Sequence, residues 1–153
     1  MVSLDTLRHS AAHVLAMAVQ KHYSKATLGI GCPIENGFYH DFDGIKITEE
    51  NLKAIESSMK HIIKQNLPFK KEIVSKQKAR RMFKSEPYKL ELIKELPGST
   101  VTIYWTGKDF ANLCKGPHVK STGEIKAFKL LRVAGAYWKG SEKNKMLTRI
   151  YGA

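Results

Sequence analysis

Long apolar runs are missing from this sequence. No window approaches the ~18 consecutive apolar residues that a membrane-spanning helix requires. The apolar stretch near the start, from Ala11 to Val19, is interrupted by His13 and carries no cleavage signature, so no signal peptide is expected. We therefore expect a cytoplasmic protein that does not bind membranes.

Cysteine is also scarce, with two residues, Cys32 and Cys114, in a chain of 153. A disulfide scaffold of this size would carry more. Cys32 falls in a segment rich in glycine and proline, 29–33, that we expect to be a turn, where it is an incidental small residue. Cys114 lies four residues before His118, which makes that pair a candidate for chemistry.

Acidic residues are few as well. The chain has 14 Asp and Glu against 26 Lys and Arg, a formal net charge of +12. Such an excess attracts polyanions, and its spread over 60–81 and 115–145 favours a folded basic face over a disordered arm. Residues 60–84 are predicted to face phosphates. The alternatives are a lysine-rich composition of the source's proteins in general and a merely solvated helix face.

Motifs of three common enzyme classes are absent. A metalloprotease helix needs a glutamate directly after its first histidine, and Ser10 occupies that position after His9. There is no nucleophile elbow of the Gly-x-Ser-x-Gly type and no Gly-x-x-x-x-Gly-Lys phosphate loop. Any catalysis must therefore come from other residues.

Helical and strand patterns are mixed along the chain. Apolar spacing and capping residues predict helices over 3–22, from Thr48 to near Pro68, over 75–84 and over 88–96. Alternation and turn signals predict strands over 38–42, 69–74 and 101–105, and within 128–151 with breaks at Gly135 and at Gly140 and Ser141. The order lacks regular βαβ alternation. It predicts one α+β domain over residues 1–153, with a mainly antiparallel sheet packed with helices.

Two short pairs of residues are candidates for a chemical site. His9 and His13 are four apart on the first predicted helix, so both rings project from one face. Cys114 and His118 flank a Gly-Pro turn. Together the four side chains would suit tetrahedral zinc, and three of them with an open position would suit a zinc that activates water. The alternative is that the helix histidines arise by chance and line a polar edge of the core.

The sequence resembles the editing domain shared by threonyl- and alanyl-tRNA synthetases. The resemblance is carried by LRHSAAH at 7–13 and LCKGPH at 113–118. IGCPIENGFY at 30–39, EPYK at 86–89 and the run from Ala134 to Gly152 narrow it to the threonyl branch. In bacterial-type threonyl enzymes that last run leads into the aminoacylation domain. The resemblance implies the editing-domain fold. It also implies a fragment of a larger synthetase, without its catalytic core and anticodon-binding domain.

The implied activity is hydrolysis of the ester of serine misattached to tRNA(Thr), without aminoacylation by this chain. Serine and threonine differ by one methyl group, worth only ~1–3 kcal/mol in a binding pocket, which is why a second site is needed. By resemblance, His9 and Lys89 position the water and the terminal ribose. The residues that line the seryl pocket are His13, Cys114 and His118. Asn112 would bind substrate, and it stands where the family commonly has aspartate.

The resemblance also sets expectations about cofactors and partners. Threonyl-type domains are regarded as working without metal. If zinc is bound, its ligands would be His9, His13, Cys114 and His118. Expected partners are the acceptor end of tRNA(Thr) carrying serine and the remaining synthetase domains. The full-length enzyme is expected to be a homodimer, and ATP binding is expected of the full-length enzyme only. The alternatives are a trans-acting deacylase of the alanyl branch and a non-catalytic RNA-binding module.

Overall fold

The computed structural model describes residues 2–153. Within them lie the helices α1 (Leu4–His22), α2 (Leu52–Lys64), α3 (Lys76–Met82) and α4 (Pro87–Glu95). The strands are β1 (Thr27–Ile34), β2 (Gly37–Asp43), β3 (Phe69–Ser75), β4 (Thr100–Thr106), β5 (Phe110–Leu113), β6 (Leu130–Tyr137) and β7 (Met146–Gly152). They form two antiparallel sheets packed with helices, which confirms the predicted α+β class.

The larger sheet has the strand order β1-β2-β7-β6 and packs against α1. α1 begins at Ser3, whose side chain accepts a hydrogen bond from the Thr6 backbone N–H. Its residues 10–19 are all buried, because one side meets the sheet and another meets α2. Packing on two sides holds α1 in a fixed position relative to the larger sheet and α2.

The smaller sheet has the order β3-β4-β5. One of its faces forms a separate apolar cluster with α3 and α4, made of Val74, Ala79, Phe83, Ile93, Val101 and Ile103. Cross-strand partners share a face, so the register places Lys71, Tyr104 and Asn112 together on the opposite face. That second face also carries Phe69, whose ring centroid lies 6.4 Å from that of His13 in α1.

Two local predictions were wrong, and two strands were missed. Cys32 lies in β1 and not in a turn, and it pairs with Tyr39 of β2. The turn between the two strands comes later in the sequence, at Asn36, where φ is 65°. β6 runs through Gly135 without a break, since that residue pairs with Thr148. The strands β1 and β5 were not predicted, because neither sequence alternates clearly between apolar and polar residues.

The helix predictions hold with shifted ends. A short 3-10 turn at Glu49–Asn51 precedes α2, and the Thr48 backbone N–H donates to Asn51 Oδ1 there. Ser75 caps α3 as predicted, accepting from the Lys78 backbone N–H. Among residues 2–153, no helix has both the length and the apolar character needed to cross a bilayer. That residues 1–153 form one domain stays a prediction.

Candidate active site

The first half of α1 supplies two of the candidate residues. His9 is half-buried, and His13, one turn further on, is 2% exposed. Their ring centroids are 5.1 Å apart, with the rings nearly perpendicular. The predicted convergence of this helical pair on one face is confirmed.

The loop after β5 supplies the other two. Cys114 directly follows the strand, and the backbone N–H of Gly116 donates to its Sγ at 3.1 Å. Gly116 has a φ of 78°, and a Cβ there would lie 2.5 Å from the Tyr104 hydroxyl oxygen. Only glycine therefore lets the loop turn this tightly against Tyr104 and bring His118 back towards α1.

The helix and the loop meet in one cluster. Sγ of Cys114 lies 3.3 Å from Nε2 of His9 and 3.4 Å from Nε2 of His118. The ring of His118 is 4.1 Å from that of His13, measured between centroids. The structure thus brings together all four residues of the predicted cluster.

Three residues around His118 were missed by the sequence argument. Phe69 of β3 stacks on its ring at 4.9 Å with an interplanar angle of 9°, and Tyr104 meets the ring edge at 4.6 Å. Oγ of Ser10 in α1 lies 3.0 Å from Nδ1 of His118. Phe69 and Tyr104 belong to strands that were predicted, but only the register shows which of their faces meets the cluster.

Burial keeps the cluster uncharged. Desolvation lowers the pKa of His118 to about 3 and lowers that of His13 well below its usual value. The pKa of His9 is lowered by burial too, partly offset by a hydrogen bond with the Pro117 backbone. Burial raises the pKa of the Cys114 thiol to about 11. At neutral pH the metal-free cluster therefore holds three neutral imidazoles and a thiol.

The same four residues could hold a metal ion. Their ligand atoms all lie within 4.8 Å of one another. Tetrahedral zinc with nitrogen and sulfur ligands implies edges of about 3.3–3.6 Å, and the two contacts of Cys114, at 3.3 and 3.4 Å, match them. The donor set fits zinc, and a bound zinc would require the thiol to lose its proton.

A small cavity of about 60 Å³ adjoins the cluster. Its lining includes His9, His13, Gly29, Ile30, Gly31, Lys89, Leu92, Asn112 and Leu113. The structure thus brings Lys89 and Asn112, which the sequence placed far apart, next to the histidines of α1. Asn112 is buried on β5, and Lys89 reaches the cavity from α4.

Lys89 is unusual among lysines because it is 2% exposed. Its Nζ is buried and has no hydrogen-bond partner within residues 2–153. Burial lowers its pKa to about 8, and the Glu86 carboxylate opposes that shift. Glu86 itself is held by Gln20 Nε2 and by the Leu28 backbone N–H, both at 2.8 Å. The ring of Phe83 lies beneath Nζ, with its centroid 5.7 Å away, but a buried ammonium without hydrogen bonds is still costly, so it indicates a place for a negative or polar ligand atom.

His40 of β2 is another buried histidine that sequence reasoning missed. Its Nδ1 donates to the backbone carbonyl of Asp41 at 3.0 Å. Burial, together with the charge of Lys89, lowers its pKa to about 3. A Cβ on Gly31 would lie 2.3 Å from the His40 ring, so the cavity wall requires glycine there. His40 therefore supports the β1 side of the cavity as a neutral ring.

The predicted basic surface, residues 60–84, extends from the end of α2 through β3 and α3. Its exposed basic members are Lys60, Lys64, Lys70, Lys71, Lys78, Arg80, Arg81 and Lys84. Lys78 makes an ion pair with Glu72 at 3.6 Å. The exposure of these residues is compatible with phosphate binding, which stays a prediction.

Comparison with known proteins finds similarity to aminoacyl-tRNA synthetases. Residues 101–151 match the family described as threonyl and alanyl tRNA synthetase second additional domain. The chain is 60% identical to threonine–tRNA ligase of Thermotoga neapolitana over 149 residues, which are 95% of this chain and 23% of that protein. It is 52% identical to threonine–tRNA ligase of Dehalococcoides mccartyi over 151 residues, 98% of this chain and 26% of that protein.

A third relative, threonine–tRNA ligase of Rubrobacter xylanophilus, is 53% identical over 150 residues, 97% of this chain and 23% of that protein. The chain thus spans about a quarter of the length of these curated relatives. Residues 101–151 are thus similar to the threonyl and alanyl tRNA synthetase second additional domain family, and nearly the whole chain is similar to a segment of threonine–tRNA ligases.

Proposed function

We propose that this chain hydrolyses the ester that joins misattached serine to the 3′-terminal adenosine of tRNA(Thr). The observation that carries the proposal is the small cavity that Lys89 lines together with His9 and His13, because the buried Lys89 ammonium has no hydrogen-bond partner within residues 2–153. The family match and the threonine–tRNA ligase relatives support a synthetase-associated role for the cavity. The partners proposed with it are the acceptor end of the tRNA and the rest of the synthetase.

The size of the cavity supports serine as the substrate. At about 60 Å³ it has room for roughly two water molecules at their liquid volume of ~30 Å³ each. A seryl hydroxymethyl group and one attacking water fill such a space. The extra methyl of threonine would compete for the place of that water. Discrimination then comes from the loss of the nucleophile rather than from weaker binding alone.

The charges in the cavity suit ester hydrolysis. Water attacks the ester carbonyl carbon, the carbonyl oxygen becomes an oxyanion, and the bond to the ribose oxygen then breaks. The Lys89 ammonium stabilises the oxyanion or the ribose oxygen, in a buried place where such a charge acts strongly. The proton that water loses ends on the departing ribose hydroxyl, and free serine is the other product.

The histidines have a limited part in this scheme. The lowered pKa values of His9 and His13 make them weak bases. They are therefore suited to accept a hydrogen bond from the attacking water and orient it, without storing its proton. Both residues line the cavity, and Nδ1 of His13 is buried without a hydrogen-bond partner within residues 2–153.

Asn112 and the other cluster residues complete the proposed site. The side-chain carbonyl of Asn112 can accept a hydrogen bond from the seryl ammonium, although it supplies no negative charge. Cys114 and His118 form the wall behind His9. Zinc held by three of the cluster residues, with its fourth position open, would act as a Lewis acid towards the ester, but the proposed reaction uses none.

The decisive experiment is deacylation of seryl- and threonyl-tRNA(Thr) by the chain, with and without a chelator. We expect hydrolysis selective for serine that survives chelation and is lost in His9→Ala and in Lys89→Ala. Lys84→Ala, which removes an exposed lysine, is the matched control and should keep full activity. Intact seryl-tRNA in the presence of folded chain that binds the acceptor end would refute the proposal.

That refuting outcome would support the second candidate, a non-catalytic RNA-binding module. The exposed basic residues of β3 and α3 favour it. A binding module protects seryl-tRNA, whereas an editing enzyme destroys it. Activity on seryl-tRNA(Ala) in preference to seryl-tRNA(Thr) would instead favour a trans-acting deacylase of the alanyl branch.

A further inference from the structure

Lys89 has a potential ion-pair partner close by with which it does not pair. Glu86 lies three residues earlier, directly before α4, and side chains at that spacing are neighbours on a helix. Yet Nζ of Lys89 has no hydrogen-bond partner within residues 2–153, and none of the ion pairs in that part of the chain joins it to Glu86. The Glu86 side chain does not cap its own helix either. The carboxylate is directed to other partners.

Two neutral donors hold the Glu86 carboxylate. Its Oε1 accepts from the backbone N–H of Leu28 in β1, and its Oε2 accepts from Nε2 of Gln20, both at 2.8 Å. Gln20 is half-buried near the end of α1, and its Nε2 also donates to the backbone carbonyl of Ala26 at 3.1 Å. A carboxylate and a carbonyl can only accept. The amide nitrogen of Gln20 must therefore face both of them, and both of its protons are used.

The place in which α1 and β1 hold this carboxylate determines what the Lys89 ammonium can do. From there the charge of Glu86 raises the pKa of Lys89 and so opposes the effect of burial. A direct ion pair would also favour the ammonium, but it would occupy N–H groups that a ligand needs. With the carboxylate held by Gln20 and Leu28, the ammonium is charged at neutral pH and its protons stay free for a ligand in the cavity that Lys89 lines.

We propose that Gln20 is a positioning residue, which holds the Glu86 carboxylate back from Lys89 so that the ammonium stays free to bind the substrate. The catalytic part of this inference rests on the proposed function, but the position of the carboxylate does not. Hydrogen bonds to a carboxylate are stronger than those between neutral groups. Without the Gln20 amide, one such bond is lost, and the Leu28 N–H alone opposes the attraction of a buried ammonium. The free oxygen of Glu86 then pairs with Lys89.

The activity test begins with Gln20→Met, because methionine has nearly the shape of glutamine but lacks the amide. We expect kcat for seryl-tRNA(Thr) to fall by about tenfold or more, towards the ~100-fold loss that removal of an oxyanion donor causes, with KM little changed. Adding Glu86→Gln should restore most of kcat, since a neutral amide does not attract the ammonium as a carboxylate does. The assay is run at slightly acidic pH, which keeps Lys89 protonated without the charge of Glu86.

The matched control is Gln77→Met, which changes an exposed glutamine of α3 and should keep full kcat. Crystal structures of the wild type and of Gln20→Met give a second readout that does not depend on catalysis. We expect the wild-type carboxylate to bind Gln20 and Leu28. In the variant, one of its oxygens should lie within hydrogen-bond distance of Nζ of Lys89.

Two results with folded Gln20→Met would overturn the inference. One is a carboxylate that stays away from Lys89 in the crystal structure of the variant. The other is a loss of kcat that Glu86→Gln does not relieve, because Gln20 would then merely support the fold. Gln20→Asn replaces Gln20→Met if the latter does not fold, since its amide is one methylene group too short to reach both acceptors.

The wild-type chain alone also tests the inference. An ion pair between Glu86 and Lys89 in its crystal structure would overturn the inference even if no Gln20 variant folds. If the wild type lacks that ion pair and the variant forms it, but the wild type never hydrolyses seryl-tRNA, the assignment of Gln20 stands and the proposed function fails.

Discussion

Nε2 of His9 lies 3.3 Å from Sγ of Cys114, although 105 residues separate them in sequence. The contact joins the helix pair to the loop pair and makes one site of them. It depends on Gly116, which lets the loop turn against Tyr104. It also sets the chemical state of the cysteine, because a buried thiol beside neutral imidazoles has no positive charge to stabilise its thiolate.

Cys114 should therefore react slowly with alkylating reagents. Burial raises its pKa to about 11, and thiolate is the reactive form, so the rate at about pH 7.5 should be on the order of 100-fold below that of an unhindered cysteine. The measurement is iodoacetamide labelling of metal-free Cys32→Ser protein, followed by mass spectrometry. Denaturant should restore the ordinary rate. Fast labelling of the folded protein would mean that the cluster contains a thiolate.

The pH dependence of deacylation should report on Lys89. Its pKa of about 8 means that the ammonium is present below that pH and is lost as the pH rises through it. After subtraction of the uncatalysed rate, we expect kcat/KM to be flat between about pH 6 and 8 and to fall by about tenfold per unit above. The acid side stays flat because burial holds the cluster histidines neutral there.

Lys89→Met tests that assignment, since it keeps the length of the side chain and removes the charge. It should lower kcat/KM by about 100-fold or more, the range for losing one oxyanion donor, and abolish the fall above pH 8. Lys84→Met is the exposed control. A basic limb that persists in Lys89→Met would assign the titration to another group.

Asn112→Asp should strengthen the grip on the substrate. The new carboxylate would pair with the seryl ammonium, so KM for seryl-tRNA(Thr) should fall several-fold. A negative charge in the same cavity favours the protonated form of Lys89. The fall of kcat/KM at basic pH should therefore shift to higher pH. Asn112→Ala should show neither the lower KM nor this shift. Unchanged KM and an unmoved limb would mean that residue 112 does not face the ammonium.

The sequence allowed the site's main residues to be named but not its arrangement. The spacing of His9 and His13 requires a shared helix face, and the Gly-Pro turn brings Cys114 near His118, so these features follow from local rules. The contact between Ser10 and His118 does not. Helical geometry turns Ser10 away from the shared face of the two histidines, and only the position of the returning loop gives its hydroxyl a partner.

Sheet register explains most of what remained unpredicted. Phe69 and Tyr104 both lie in strands that the sequence predicted. The face of the sheet on which their side chains lie depends on the pairing of β3, β4 and β5. β5 is only four residues long and carries no pattern of its own. Lys89 was named by family resemblance. Its burial follows from the packing of α4 against β1, a contact between distant parts of the chain.

Selectivity against threonine should depend on the apolar wall of the cavity, formed in part by Leu113. Leu113→Ala removes three carbon atoms from a half-buried side chain and makes room for the threonyl methyl beside the attacking water. We expect hydrolysis of threonyl-tRNA(Thr) to rise by about tenfold, a change within the ~1–3 kcal/mol that one methyl group is worth. The rate on seryl-tRNA(Thr) should change little, so the ratio of the two kcat/KM values is the quantity to measure.

Leu96→Ala is the matched control for that experiment. Leu96 borders a separate groove that Leu113 also lines, but it does not line the small cavity. Leu96→Ala should therefore lower the stability of the fold about as much as Leu113→Ala, without a change in selectivity. Thermal unfolding of both variants would check that their stabilities are similar. If both variants relax selectivity equally, loosening of the fold is the cause. If neither does, the methyl group is excluded elsewhere, and the polar wall with His13 and Asn112 becomes the place to look, because threonine would then be rejected by the orientation of its hydroxyl.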